Sequence, residues 1–398
     1  MGRGALYGEG GLVVSGPSRR LFRCGRPLPL LGLAVLLAHG AGAQGDKVSR
    51  LIADLSSADR EVRLTAVHNL ATLAVWEATE PLIPVLGDPD AEVRDAAADA
   101  LEQIGDVATD LLVANLKSES PQVRAGCADV LGRYLGATDE EEEIAFGLLG
   151  VVGDQDAGVR LRVAQALGRL EKPEVLEPLR RLMADEEPPV RLAAACSLAQ
   201  RGDASGMPVI LTAARSEDPA VRGSAIGGLR VIASPQAVQA LVDLANDEDD
   251  DIRKSAYCAL LTSGAPNSAT PGLVGLSDPA WRVRAEVART LGFAPVPDAS
   301  ERLLETLQND SSASVRVAAG VSLGFREEKR AVEPLLAMLG KDRRDMERAG
   351  AAQALGLLAA QEATKPLTEL LEDEDSRVRR SARLALQMIL DECPDCPK

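Results

Sequence analysis

Few residues in this chain have the type and spacing for chemistry. Cys393-Pro394-Asp395-Cys396 places two thiols within the last six residues. Such a pair supports a disulfide, thiol exchange or part of a metal site. An exchange site of the thioredoxin type opens a helix after a strand, whereas this pair trails a helical pattern and ends the chain. A Cys393–Cys396 disulfide staple is therefore the expectation in an oxidising compartment, with metal or redox chemistry and no role at all as the alternatives. Histidine is nearly absent: the chain has only His39 and His68. After the first 43 residues His68 stands alone, which excludes a multi-histidine metal set. No Gly-rich phosphate loop, Ser-His-Asp set or pair of catalytic carboxylates is identifiable. Asp139-Glu140-Glu141-Glu142-Glu143 reads as a solvated loop or the start of a helix, where acids complement the dipole; a contact for a cation or basic partner is the alternative. The expectation is a protein that is not an enzyme and carries no cofactor or metal.

The remaining polar signal is periodic. A Val-Arg pair or near equivalent recurs at 62, 93, 123, 159, 190, 221, 252, 283, 315, 347 and 378, in steps of 30 to 36 residues. With the first residue of each pair as position zero, position +8 is leucine in all eleven copies, from Leu70 to Leu386. Position +4 is Ala, Val or Cys, for example Ala66, Cys127 and Val287. Spacing 0, +4, +8 is one stripe of an α-helix. Position −5 is Asp or Ser in every copy, and −3 in most; both are read as acceptors for the free N–H groups of a first helical turn. Pro121, Pro188 and Pro219 fall at −2, a first-turn site. A shorter apolar pattern precedes each cap, as in Pro81-Leu82-Ile83-Pro84-Val85-Leu86. Each unit is thus helix A, a capped turn and helix B, and stacking is what buries both faces.

The Asp-x-x-x-x-Val-Arg-x-x-Ala-x-x-x-Leu frame resembles HEAT-like repeats of the short bacterial kind also found in phycobilin lyases. The resemblance implies an all-α solenoid of about eleven two-helix units over residues 44–390. Its period is shorter than that of the longer HEAT and armadillo repeats. It says little about chemistry. A HEAT-repeat hydroxylase site needs repeated His-Glu pairs, which this chain lacks. A lyase-like protein carrying or attaching a cofactor is the alternative to a non-catalytic scaffold.

Within the frame, the arginine at +1 flanks the core and points along the stack. An aspartate in the adjacent turn is its natural partner, because a guanidinium fork fits a carboxylate bidentately. Cys127 occupies a core slot at +4. Cys196 and Cys258, both at +6 and two units apart, are too distant to bond each other.

Aromatic residues are only 2% of the chain, so Ala, Leu and Val must fill the core. The net charge is −16. Residues 1–43 carry five arginines against one glutamate, which leaves −20 for the rest. That balance argues against nucleic acid as a partner. Residues 1–43 form a leader in which 18–43 read as an export signal: a basic Ser18-Arg19-Arg20-Leu21-Phe22-Arg23 segment, an apolar stretch from Leu28 to Ala38, and small residues at Ala41-Gly42-Ala43. The apolar stretch is too short to span a membrane. The expectation is cleavage after Ala43, a periplasmic or extracellular protein without a membrane span, and a tail at 391–398.

A protein partner is expected on the B helices at +2, +6 and +9, read as outward and, by the resemblance, concave. These positions run from acidic (Asp95, Asp99, Glu102, Asp129) through apolar (Leu161, Leu192) to basic (Arg230, Lys254, Arg289), then apolar again (Val317, Val321). Exposed apolar residues beside ordered charge would mark a contact.

Overall fold

A computed structural model describes residues 45–104, 108–134 and 141–391. The leader, Asp139 and Glu140 of the acidic run, and the Cys393–Cys396 tail lie outside the described residues. Within them the chain forms eleven helix pairs and no strand. The B helices are Arg60–Leu73, Ala91–Ile104, Pro121–Tyr134, Ala157–Arg169, Pro188–Gln200, Pro219–Ile232, Asp250–Thr262, Trp281–Leu291, Ala313–Phe325, Asp345–Leu357 and Ser376–Asp391. The A helices are mostly shorter, such as Leu176–Leu182 and Met207–Ala213, and several open with a 3₁₀ turn.

The helical stripe forms the core. All eleven +4 residues are buried, and ten of the eleven +8 leucines are fully so. Leu386, in the last described unit, is half-buried. At position zero, Val62 of the first described unit is exposed.

The two polar cap positions divide their work. Position −3 is the N-cap: Asp59, Asp156, Asp218 and Asp249 each accept from a first-turn N–H. Position −5, expected to do the same, instead closes its own turn by accepting from the N–H at −3, at 2.9 Å for Asp88 and 3.0 Å for Asp247. That geometry leaves its carboxylate facing the preceding unit.

Successive B helices pack directly on one another at every junction, much more closely than successive A helices do. The junctions between units are therefore made chiefly by the B helices. Their approach is set at +9, where Gly132, Gly168, Gly292, Gly324 and Gly356 sit. A Cβ on Gly356 would come within 2.7 Å of the Ala385 backbone, so only glycine permits that approach. Position +9 was expected to face outward. It is the crossing point of neighbouring B helices, and Glu102 and Arg230 are exposed there because the next helix stands further off.

Candidate functional site

The recurring arginine builds a ladder. Arg160 donates from Nη1 to the carbonyls of Asp154 and Gln155 in its own unit, at 2.9 and 3.0 Å. Its Nε and Nη2 donate to Asp185 of the next unit at 2.7 and 2.8 Å. One side chain thus ties its own capped turn to the following one. The same two-pronged contact joins Arg63 to Asp88, Arg124 to Asp154, Arg222 to Asp247, Arg253 to Asp278, Arg284 to Asp310 and Arg348 to Asp373. These pairs are largely shielded from solvent, with 8% side-chain exposure at Asp310 and 7% at Asp185.

The ladder holds its carboxyls below their ordinary range. At Asp88, Asp154, Asp185 and Asp373 the arginine hydrogen bonds are the largest influence. At Asp247, Asp278 and Asp310 burial is the largest influence and works upward. The arginine bonds, a backbone N–H and the neighbouring charges together outweigh it.

Three junctions depart from this pattern. Arg316 bonds Glu347, a buried glutamate at position zero, instead of Asp342 at −5. That explains why unit ten has glutamate where the other units carry Val or Ile. Arg94 and Arg191 have Ser118 and Ser216 opposite them and donate only to carbonyls of their own turns.

The expected partner surface is partly neutralised from within. Arg133 pairs with Asp99 at 2.7 Å and Asp129 at 2.8 Å and lies 3.7 Å from Glu102. Arg162 adds a second contact to Asp129. Of the acidic block, Asp95 is exposed without an ion pair among the described residues. Lys254 and Arg289 pair along their own helices with Asp251 and Glu286. Arg230 is exposed and has no carboxylate partner among the described residues. The apolar positions are less open than expected. Leu192 is buried, at 5% exposure, because the A helix of unit six covers it. Leu161, Val317 and Val321 are half-buried against the core.

Some of these residues do converge. Asp129, Leu161, Arg162, Leu192, Cys196 and Val221 share a cleft of about 550 Å³ along the B helices of units three to six. The remaining candidates lie elsewhere along the stack. Sequence reasoning missed Arg133 and Arg162, whose contacts with the acidic block do not recur from unit to unit.

No cluster of three or more His, Cys, Asp or Glu able to hold a metal occurs among the described residues. His68 is exposed. Burial pushes the Cys127 thiol up to about 12 and Cys196 to about 11. Cys258 is raised by burial too, and its sulfur lies 3.1 Å from the Thr290 hydroxyl. Of the acidic run, Glu141, Glu142 and Glu143 form the first turn of the helix Glu141–Gly150, where they favour its dipole.

Matches to the model of HEAT repeats cover residues 48–132, 109–195, 179–262, 270–356 and 332–395. The chain belongs to the HEAT-repeat family. This HEAT-repeat chain is 34% identical over 159 residues to a HEAT repeat-containing taxis protein of Halobacterium salinarum. The match covers 34% of this chain and 38% of that protein, so it spans well under half of the relative's length. Among solved structures, yeast importin-β is similar over 87% of this chain and 55% of its own, with 14% identity and a TM-score of 0.48. The CpcE–CpcF complex of phycocyanin lyase from Nostoc sp. PCC7120 is similar over 68% of this chain and 100% of its own, with 19% identity and a TM-score of 0.42. No helix among the described residues is long and apolar enough to cross a membrane.

Proposed function

We propose that this HEAT-repeat solenoid is a non-catalytic scaffold that binds a protein partner along its B-helix face. The observation that carries this is the cleft spanning four successive B helices, where Leu161 and Leu192 meet Asp129 and Arg162 in about 550 Å³. An apolar floor with charged flanks suits a protein surface. The export signal read at residues 18–43 supports a periplasmic or extracellular location for the scaffold.

The test is affinity capture from the native envelope with the full chain. It is compared with Leu161→Glu and with the combined Arg230→Glu, Lys254→Glu and Arg289→Glu variant, circular dichroism checking the fold. Loss of a defined partner with helicity intact supports the groove. Unchanged capture by both variants moves the site to the A helices. A chromophore or metal co-purifying in stoichiometric amount overturns the non-catalytic reading. Terminal sequencing of exported protein should begin at Gln44, and an intact leader on cytosolic protein overturns the location.

A further inference from the structure

The ladder shows what belongs on each repeat arginine, and at one junction that group is absent beside an open cleft. In seven junctions a carboxylate of the next unit accepts from Nε and Nη2. Arg191 keeps the other half of the pattern, with Nη1 donating to the carbonyls of Asp185 and Glu186 at 2.7 and 2.9 Å. Its guanidinium is therefore held in the ladder pose. The residue opposite is Ser216, whose hydroxyl is taken up by the N–H of Asp218 at 3.2 Å. Among the described residues nothing accepts from the Nε–Nη2 edge.

That arginine lines a cleft of about 530 Å³ between the B helix of unit five and the A helix of unit six. Ser216 and a second cation, Arg215, line it too, and no acid does. The rest of the wall is mainly apolar, including Leu192, Pro208, Val209 and Val221. Val221 is the only position-zero residue of an internal unit that is not buried. The apolar core also divides here into two clusters, meeting within helix Pro188–Gln200. The other vacant rung is different. Arg94 lines a cleft of about 360 Å³ together with the Asp129–Arg162 ion pair and with Asp95, whose unpaired carboxylate repels an incoming anion.

We propose that the cleft at Arg191 binds an acidic side chain, flanked by apolar residues, from an extended segment of the protein partner. Its carboxylate takes the place of the absent aspartate on Nε and Nη2, Arg215 adds attraction, and the flanking residues cover Val209 and Val221. The inference rests on the protein-binding reading and adds to it the chemistry of the recognised segment. A bidentate guanidinium–carboxylate contact out of bulk water is strong and directional, so one acidic residue can fix the register of a bound segment.

The probe is a set of acetylated, amidated hexapeptides with Asp at a fixed central position and randomised apolar neighbours. It is compared with the same set carrying Asn. The full chain should retain the Asp set about tenfold more strongly, as expected for hydrogen bonds to a charged group. Ser216→Asp should complete the rung internally, raise the melting midpoint and erase the preference. Arg191→Gln should erase it too, whereas Ser118→Asp should leave it intact. Equal retention of the two sets overturns the proposal, as does a preference that survives Ser216→Asp. Retention of a matched Asn set with free C-terminal carboxylates at the level of the amidated Asp set, with the amidated Asp and Asn sets alike, overturns the side-chain assignment. Capture of a partner along the groove that is undiminished in Ser216→Asp overturns the cleft while leaving the scaffold reading in place.

Discussion

Ser197 stands where a side chain on Gly168 would have to go. Its hydroxyl donates to the Ala164 carbonyl at 2.9 Å, and a Cβ on Gly168 would lie 2.5 Å from the serine Oγ. Two B helices cross at this point. Gly168→Leu should therefore force them apart and cost about 1–3 kcal/mol. Gly227, also within a B helix, has nothing within 4 Å of a built Cβ. Gly227→Ala should stabilise by about 0.5–1 kcal/mol through helix propensity. Urea melts of the two variants check the pair, and similar shifts in both would contradict the crossing geometry.

The contrast between +8 and +9 shows what the sequence could reveal. Leu229 at +8 belongs to the apolar stripe of a single helix, and helical periodicity alone places it inside. Position +9 lies off that stripe, and a wheel drawn for one helix puts it outside. Its environment is decided by the neighbouring B helix, 29 to 34 residues away in sequence at the glycine crossings. Glycine at Gly132, Gly168, Gly292, Gly324 and Gly356 was the trace of that contact. The Arg–Asp ladder was legible because both partners repeat in register. The pairing of Arg133 with Asp99 was not, because it occurs once. Leu192 likewise reads as exposed until the A helix of unit six is set beside it.

Leu229 is fully buried at the centre of the stack. Leu229→Asp buries a carboxylate without a partner and removes a core side chain, at a cost of at least about 4 kcal/mol. In a quasi-one-dimensional stack the damage should concentrate in the adjoining units. Hydrogen exchange should show protection lost first around helices Pro188–Gln200 and Asp250–Thr262 and retained near Arg60–Leu73. A variant that melts like the parent would contradict the register.

The thiols predict a graded reactivity. Cys127 and Cys196, raised to about 12 and 11, are scarcely ionised at neutral pH, and Cys258 is shifted the same way. Iodoacetamide should label the buried Cys127 only after denaturation, and the half-buried Cys196 and Cys258 slowly in the folded chain. Cys393 and Cys396, if exported and paired as proposed, should label after reduction without unfolding. Prompt labelling of Cys393 and Cys396 in unreduced protein from its compartment would count against the staple.

Acid should dismantle the ladder from its carboxylates. The seven rung aspartates, such as Asp185 and Asp310, titrate below their ordinary value in the folded chain. A carboxyl depressed on folding contributes stability that is fully present above its unfolded pKa of about 4. That contribution is lost as pH falls through the lower folded-state value. The melting midpoint should accordingly change little between about pH 8 and pH 5 on account of these groups, then fall below about pH 4. Arg284 and Asp310 isolate one rung, with Nε–Oδ2 at 2.8 Å and Nη2–Oδ1 at 3.0 Å. Asp310→Asn keeps the shape and removes the charge. After allowance for solvent screening it should cost about 1–2 kcal/mol at neutral pH. The gap between variant and parent should then close as pH drops below the folded-state value, because the parent's carboxyl becomes neutral as well. A gap that stays constant from neutral pH into acid would mean that the rung contributes through packing alone and not through its charge.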